Sequence, residues 1–395
     1  MRRGTGFGIA IAGVLAATAT AVALPAAAQE KLKIGFITTL SGPQGVIGKH
    51  MKDSLDLAME HLGGKVGGLE TEVVIGDDQQ KPDVGLDVAN KMLKSDRVQF
   101  VTGVIWSNVL MAIVGPVTRE TFLLSSNAGP SPLAGKECHE NFFAVSWQND
   151  QTPEAMGKYM SEAGVSDVYA IAPNYQAGKD MLTGFKRTFK GKVVEEMYVK
   201  LGQQDYQTEL TQVRAANPKA VFVFLPGGMG INFLKQYEQA GLRQQFPLYN
   251  VYTTDGTTLP AVKEAALGVR STQTWVATLA NPVNRRYVED FRKKFNYIPS
   301  FYGAQTYDTF MLLDAALKKA GGKISDKKAI REALRTVEAP NTRGSLKFNT
   351  NHFPIQNFYL QEVVQDTEGN FTLQVKGVVF SAHGDAYAKD CKMAP

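Results

Sequence analysis

The 395-residue sequence is poor in cysteine and histidine: it contains two cysteines and five histidines. The histidines are His50, His61, His139, His352 and His383; they lack the spacing of zinc ligands, so we expect no metal site. The sequence contains neither a phosphate-binding Gly-x-Gly-x-x-Gly motif nor a Gly-x-Ser-x-Gly elbow, so we expect no cofactor and no enzyme. The net charge of +5 is spread without a dense Lys/Arg cluster, which gives no support for nucleic-acid binding.

The sequence also has only one long apolar run, at its N-terminus. Met1 to Arg3 is positively charged, Ile9 to Leu24 is apolar, and Ala26 to Ala28 provides small residues before Gln29. The run is shorter than the roughly 20 residues that a membrane span needs. We therefore expect residues 1–28 to be a signal peptide that is cleaved on export to the periplasm. An uncleaved anchor is the alternative.

The two cysteines, Cys138 and Cys391, are predicted to form a disulfide, because an oxidising compartment favours the pairing of two thiols. Such a bond would attach the C-terminal tail to the first half of the chain. Two unrelated free thiols are the alternative.

After residue 31 the chain reads as a long alternation of strands and helices. Apolar strands such as Leu32 to Ile37, Phe100 to Val104 and Ala220 to Leu225 alternate with segments of helical periodicity such as Gly48 to Leu62. This order predicts α/β architecture with parallel sheets covered by helices. The length exceeds what one hydrophobic core usually supports, so we expect two domains.

Small or polar residues recur where the predicted strands end. They include Thr39 to Ser41, Trp106-Ser107, Ser126 to Ala128, Pro173 to Tyr175 and Pro226 to Gly228. Ligands of open parallel sheets bind just outside the carboxyl ends of the strands. Each loop alone could be a simple turn, but five of them in two domains favour a cleft.

The series of motifs resembles the periplasmic solute-binding proteins of branched-chain amino acid ABC importers. The resemblance rests on Ile34 to Phe36 leading to Leu40 to Pro43, on Asp77-Asp78, on Gly103 to Ser107 and on Asn174 to Asp180. It covers essentially the whole mature chain, and it is specific as a series although each motif alone is weak.

This resemblance implies a type I periplasmic binding protein, with two doubly wound parallel-sheet lobes joined by a three-segment hinge. We expect lobe 1 to comprise residues 29–147 plus 278–345, and lobe 2 residues 148–277 plus 346–395. A small carboxylate ligand would be trapped when the lobes close, and the closed form would dock membrane permease subunits. We expect a monomer.

The resemblance also suggests ligand-binding residues. Ser107 and the loop of Asn127, Ala128 and Gly129, with free backbone donors, would hold the ligand carboxylate. The remaining candidates are Trp106, Tyr175, Pro226, Gly227, Tyr252, Asp255, Ile47 and Tyr302.

Three departures from the family pattern bear on the ligand. No Glu stands near Asn250 to Tyr252 to pair with a ligand ammonium, and the nearest acid is Asp255. Ala177 replaces a frequent Tyr, and Trp106 replaces a smaller residue. Together these favour an aromatic acid, such as a benzoate or cinnamate derivative. A branched-chain amino acid paired with Asp255 and a ligand-sensing module for a signalling receptor are the alternatives.

Overall fold

The structure, a computed structural model, describes residues 1–9, 31–344 and 346–393. Residues 1–9 contain no helix or strand. Most of the predicted signal peptide, including its cleavage site, lies outside the described residues. None of the helices in the described ranges is long and apolar enough to cross a membrane.

The described chain contains fourteen strands and twelve α-helices. The strands are β1 (Leu32–Thr38), β2 (Lys65–Val66), β3 (Leu69–Asp77), β4 (Phe100–Gly103), β5 (Phe122–Ser125), β6 (Phe142–Ala144), β7 (Asp167–Pro173), β8 (Lys192–Val199), β9 (Ala220–Val223), β10 (Leu248–Asn250), β11 (Arg270–Gln273), β12 (Lys347–Phe348), β13 (Pro354–Gln365) and β14 (Phe371–His383). The helices are α1 (Gly45–His61), α2 (Pro82–Lys91), α3 (Ser107–Glu120), α4 (Ser131–Ala134), α5 (Gln151–Glu162), α6 (Gln176–Thr188), α7 (Gln207–Ala216), α8 (Gly228–Gln239), α9 (Leu259–Val262), α10 (Pro282–Phe295), α11 (Phe301–Lys319) and α12 (Lys327–Thr336).

These elements form two sheets. The first has six strands in the order β2-β3-β1-β4-β5-β6, all parallel except for the β2–β3 pair. In the second, β8, β7, β9, β10 and β11 are parallel neighbours, and β13 joins antiparallel to β11, β12 and β14. We call the part built on the first sheet lobe 1 and the part built on the second sheet lobe 2. The predicted α/β class with two parallel-sheet lobes is confirmed.

Each sheet is buried by helices because its strands are apolar on both faces. Every residue of β4, β5 and β9 is buried, as the continuous apolar runs predict for central parallel strands. Helices α1 and α11 pack against each other in lobe 1, although some 240 residues separate them in sequence. Helix α11 therefore lies in lobe 1 although it follows β7 to β11 of lobe 2 in the chain.

The chain passes between the lobes three times, after β6, after β11 and between α12 and β13. The predicted hinge segments, near Ser146-Trp147, Trp275 to Thr278 and Gly344 to Phe348, fall on these passages, and Ser345 lies outside the described residues. The exact domain boundaries stay a prediction.

The buried guanidinium of Arg343 joins two of the passages. It donates to the carbonyl oxygens of Val145 (2.7 Å) and Ser146 (3.0 Å) in the first passage. It also pairs with the buried carboxylate of Asp308 in α11, with 3.0 Å between Nε and Oδ2. These bonds tie the first and third passages together at Arg343.

The predicted disulfide between Cys138 and Cys391 is present, with the two Cα atoms 5.6 Å apart. Cys138 follows α4 in lobe 1, whereas Cys391 lies in the tail after β14 of lobe 2. The bond is thus a fourth covalent connection between the lobes.

Candidate functional site

A small cavity lies where the carboxyl ends of the two sheets face each other. Its free volume of about 20 Å³ is about the space of one water molecule, so the lobes are closed around it. It is lined by Ile105, Trp106, Ser107, Asn127, Ala128, Trp147, Asn149, Tyr175, Ala177, Met181, Phe224, Pro226, Tyr252 and Tyr302. Eight of the twelve candidates proposed from the sequence are among them.

Six of the fourteen lining residues are aromatic. Trp106 of lobe 1 meets Tyr175 of lobe 2 edge-on, with ring centroids 6.2 Å apart. Tyr175 in turn lies 6.3 Å from Phe224, and Phe224 lies 5.7 Å from Tyr252. Trp147 of the first passage closes this wall, 4.5 Å from Tyr252. Aromatic pairs prefer edge-to-face and offset contacts at these distances, so in this closed form the rings of the wall pack on one another.

Ser107 is the first residue of α3, where helix geometry leaves backbone N–H groups unpaired. Trp106 occupies the N-cap position without a side-chain cap, so those N–H groups stay available. The Asn149 side chain donates to the Ser107 hydroxyl oxygen at 3.1 Å. Since that oxygen already accepts a bond, the hydroxyl proton is free to point at a ligand oxygen. An anion at this position would also gain from the α3 dipole.

The loop after β5 offers fewer free donors than the sequence suggested. The N–H of Ala128 donates to the carbonyl of Val104 (3.1 Å), and the N–H of Gly129 donates to the Asn149 side chain (3.2 Å). These bonds hold the loop against the β4 turn, where Val104 adopts a left-handed φ of 67°, uncommon for a β-branched residue. The expectation that this loop offers free backbone donors is therefore wrong for Ala128 and Gly129.

Two polar atoms of the lining are buried without a hydrogen-bond partner among the described residues. They are the indole nitrogen of Trp147, a donor, and the side-chain oxygen of Asn127, an acceptor. Buried polar groups normally have partners, and a bound ligand is one way to supply them. No charged residue is among the residues that line this cavity.

Burial raises the pKa values of Tyr175 and Tyr302, so their phenols remain neutral at physiological pH. The phenol of Tyr252 donates to the Thr152 hydroxyl at 2.6 Å, which fixes its ring against the start of α5. The phenols therefore serve as neutral hydrogen-bonding groups.

Four candidates do not line the cavity. Gly129 packs against the backbone of Trp147, where a Cβ would lie 1.9 Å from the carbonyl oxygen. Gly227 and Ile47 pack against each other across the lobes, because a Cβ on Gly227 would meet Ile47 Cδ1 at 2.9 Å. The structure gives these three a packing place beside the cavity.

Asp255, the fourth, lines a separate cavity of about 470 Å³ between the lobes. This cavity is larger than the aromatic one, but its walls come from the segments near Leu259, Ile298 and Phe371, away from Ser107. Asp255 is 1% exposed, and burial raises its pKa to about 6. One of its oxygens accepts from the Thr257 N–H, and the other has no partner among the described residues.

The residues that sequence reasoning missed lie mainly in the first passage and at the end of β9. Trp147 and Asn149 belong to a segment without periodicity, read from the sequence only as a hinge. Phe224 looked like the end of a core strand. An aromatic residue next to a hinge was the only available signal.

Two adjacent acids stand at the carboxyl end of β3, of which Asp77 is the last strand residue and Asp78 follows it. Asp77 is partly exposed and accepts from the N–H of Leu40 (2.9 Å). Asp78 is instead fully buried, and its carboxylate accepts from the Thr39 hydroxyl and from the N–H of Gln80 at 2.9 Å.

Two solved structures resemble the chain over nearly its whole length. An ABC transporter solute-binding protein from R. palustris, in complex with benzoate, is 29% identical with a TM-score of 0.87, and the match covers 92% of this chain and 100% of that one. A solute-binding protein from Rhodopseudomonas palustris BisB5, in complex with 3,4-dihydroxybenzoic acid, is 27% identical with a TM-score of 0.85, covering 90% and 99%.

A curated relative, the Leu/Ile/Val-binding protein homolog 6 of Brucella melitensis, is 29% identical over 374 residues, which are 90% of this chain and 94% of the relative. Residues 31–368 match the family model described as periplasmic binding protein. With two closed lobes, a cavity at their sheet ends and this match, the chain belongs to the periplasmic binding protein family.

Proposed function

We propose that this protein is the extracytoplasmic substrate-binding receptor of an ABC importer, and that it captures an aromatic carboxylate between its lobes. The observation that carries the choice of ligand is the lining of the cavity. It combines six aromatic side chains with the unpaired N–H groups of α3 and contains no charged residue. An aromatic acid needs a ring-shaped apolar space and donors for one carboxylate. An amino acid would also need a partner for its ammonium group.

The expected energies of the ring and carboxylate contacts are large enough for micromolar binding. A buried aromatic ring removes about 150–250 Å² from water, which contributes roughly 4–6 kcal/mol at about 25 cal/mol per Å². Each bond to the carboxylate adds about 1.5–3 kcal/mol. After the costs of association, micromolar affinity, or about −8 kcal/mol, requires no ammonium contact.

The proposed mechanism is ligand-biased closure. Ser107 and the α3 N-terminus of lobe 1 bind the carboxylate in the open form. Tyr175, Phe224 and Tyr252 of lobe 2 contact the ring only after closure, so the ligand favours the closed form. The closed form, a monomer in the periplasm, would then deliver the acid to the permease subunits. The exported state would follow cleavage of residues 1–28.

Branched-chain amino acids are the second candidate, because the relative from Brucella is named for them. In that case Asp255 would have to turn from the neighbouring cavity to meet the ammonium. A sensor that reports ligand to a signalling receptor would use the same binding site.

A thermal-shift screen separates these ligands, since stabilisation grows with ligand concentration over Kd. We expect benzoate, hydroxybenzoates or cinnamates to raise Tm, and leucine, isoleucine and valine to leave it unchanged. A rise with the aliphatic amino acids alone, lost in Asp255→Asn, would reverse the choice of ligand.

Ser107→Ala tests the carboxylate site directly. Losing one bond of about 1.5–3 kcal/mol to a charged group should weaken binding of the active acid roughly 10- to 150-fold, measured by calorimetry. Thr211→Ala, which removes an exposed hydroxyl on α7, is the matched control and should leave Kd unchanged. Equal affinities for the wild-type protein and Ser107→Ala would place the carboxylate elsewhere.

A further inference from the structure

The indole N–H of Trp106 is the first donor in a chain of buried hydrogen bonds that leads away from the cavity. Its Nε1–H donates to the Thr39 hydroxyl oxygen at 2.7 Å. That hydroxyl donates in turn to Oδ1 of Asp78, which also accepts from the N–H of Gln80 at 2.9 Å. Trp106, Thr39 and Asp78 are each no more than 1% exposed. These three residues form what we call the Trp106 relay.

The direction of the relay is fixed by its chemistry. The Thr39 hydroxyl has a single proton, and the Asp78 oxygen can accept it. The hydroxyl oxygen is therefore left as the acceptor for the indole N–H, which is a donor only. No polar atom of Trp106 is left to face the cavity, so its contribution to the cavity wall is apolar.

Two of the three relay residues, Thr39 and Asp78, lie outside the cavity lining. Thr39 follows β1 and Asp78 follows β3. The Asp78 side chain lies near α2, because a Cβ on Gly85 would lie 3.7 Å from Asp78 Cβ, and α2 itself packs closely on α3, since the same Cβ would lie 2.5 Å from Val109 Cγ1. Packing of this kind leaves the acid little freedom to move.

We propose that Thr39 and Asp78 are specificity-determining positioning residues: they turn the Trp106 N–H away from the cavity, so that the wall it forms prefers unsubstituted ring edges over hydroxylated ones. The inference rests on the proposed capture of an aromatic acid. A site with an unpaired donor favours a ligand that supplies an acceptor, whereas an apolar wall leaves a ligand hydroxyl unpaired there.

The test combines Thr39→Val with Thr39→Ser. Valine keeps the shape of threonine but removes the acceptor, so the indole N–H must find another acceptor, and the nearest space is the cavity. Serine retains the hydroxyl and should behave like the wild-type protein. Asp78→Ala frees the Thr39 hydroxyl to rotate and should show a smaller change in the same direction.

Ligand selectivity is the first readout. For the wild-type protein and each variant, calorimetry gives Kd for benzoate, 3-hydroxybenzoate and 4-hydroxybenzoate. In Thr39→Val we expect the affinity for at least one hydroxybenzoate, relative to benzoate, to rise about tenfold. Thr39→Ser should restore the wild-type ratio.

The indole N–H signals are the second readout, because a purely structural role would not move one of them alone. The chain has three tryptophans, and Trp275 donates to Asn284 at 2.7 Å, independently of the relay. In ¹⁵N-indole spectra of ligand-free protein, Thr39→Val should shift the Trp106 signal and leave that of Trp275 in place. If Thr39→Val does not fold, Thr39→Ala supplies the same comparison.

The outcomes separate this inference from the proposed function. Unchanged selectivity ratios in Thr39→Val, in a wild-type background that binds aromatic acids, overturn the inference alone. An unmoved Trp106 indole signal overturns the relay itself. A wild-type protein that binds no aromatic acid overturns the proposed ligand, and the selectivity claim falls with it.

Discussion

At the residue scale, the position of Asp255 decides between two ligand chemistries. Its carboxyl group is buried beside a cavity other than the aromatic one, and one oxygen has no partner among the described residues. A carboxylate in this setting is costly, and burial accordingly raises its pKa to about 6. The charge thus destabilises the ligand-free closed form at neutral pH.

Asp255→Asn should therefore stabilise the protein, and more so as pH rises. The folded state favours the neutral acid, so wild-type stability falls as pH rises from the unfolded pKa near 3.9 towards about 6. The gain of the variant over the wild-type protein should grow by about 2 kcal/mol between pH 4.5 and 7.5. Urea unfolding at both pH values measures it, with the exposed Asp87→Asn as control. A gain that does not depend on pH would mean that Asp255 is already paired.

Site residues that directly follow predicted strands could be predicted from the sequence. Site residues in the passages between the lobes could not. Ser107, Asn127 and Pro226 were predictable because the carboxyl ends of parallel strands converge. Trp147 and Asn149 were not, since their position depends on how the chain crosses between lobes. Gly227 was assigned to the cavity, but it packs against Ile47 of the opposite lobe, a contact that depends on how the two lobes meet.

At the scale of elements, apolar periodicity predicted the central strands and every helix of ten or more residues except α5 (Gln151–Glu162). The short strands β6 and β11 were missed, because three or four residues carry no clear period and are extended only through pairing with neighbours. The passages depend likewise on tertiary contacts. Arg343 is their main polar link, bonded to Asp308, to two carbonyls and to the Gln356 side chain (2.9 Å).

Arg343→Met should destabilise the fold by roughly 3–5 kcal/mol, because it leaves the buried Asp308 carboxylate without its partner. Denaturant unfolding measures the loss. The double variant Arg343→Met/Asp308→Leu should recover part of it. Arg335→Met is the matched control: Arg335 lies 3.8 Å from Glu332 in a partly exposed pair, so its loss should cost less than about 1 kcal/mol. Equal losses in the two single variants would contradict this role for Arg343.

At the scale of the whole molecule, the backbone of lobe 2 at Gly228 packs directly against the backbone of lobe 1 at Pro43. The N–H of Gly228, which begins α8 of lobe 2, donates to the Gln44 side chain of lobe 1 at 3.2 Å. A Cβ on Gly228 would lie 2.7 Å from the Pro43 carbonyl oxygen. The φ of Gly228 is not left-handed, so alanine suits its conformation and meets an obstacle only from the opposite lobe. This contact joins the two lobes in the closed form.

Gly228→Ala should therefore weaken ligand binding by hindering closure, while the ligand-free protein stays folded. Small-angle scattering should show the radius of gyration falling on ligand addition in the wild-type protein and falling less in the variant at the same ligand concentration. Kd should rise, because the apparent affinity falls with the fraction of protein that can adopt the closed form. Gly377→Ala, where no atom lies within 4 Å of the added Cβ, should close and bind normally. If the radius of gyration of the wild-type protein does not change when a ligand binds tightly, hinge closure is contradicted. A normal Kd in Gly228→Ala would show that the backbone at Pro43 can move to accommodate the added methyl group without weakening binding.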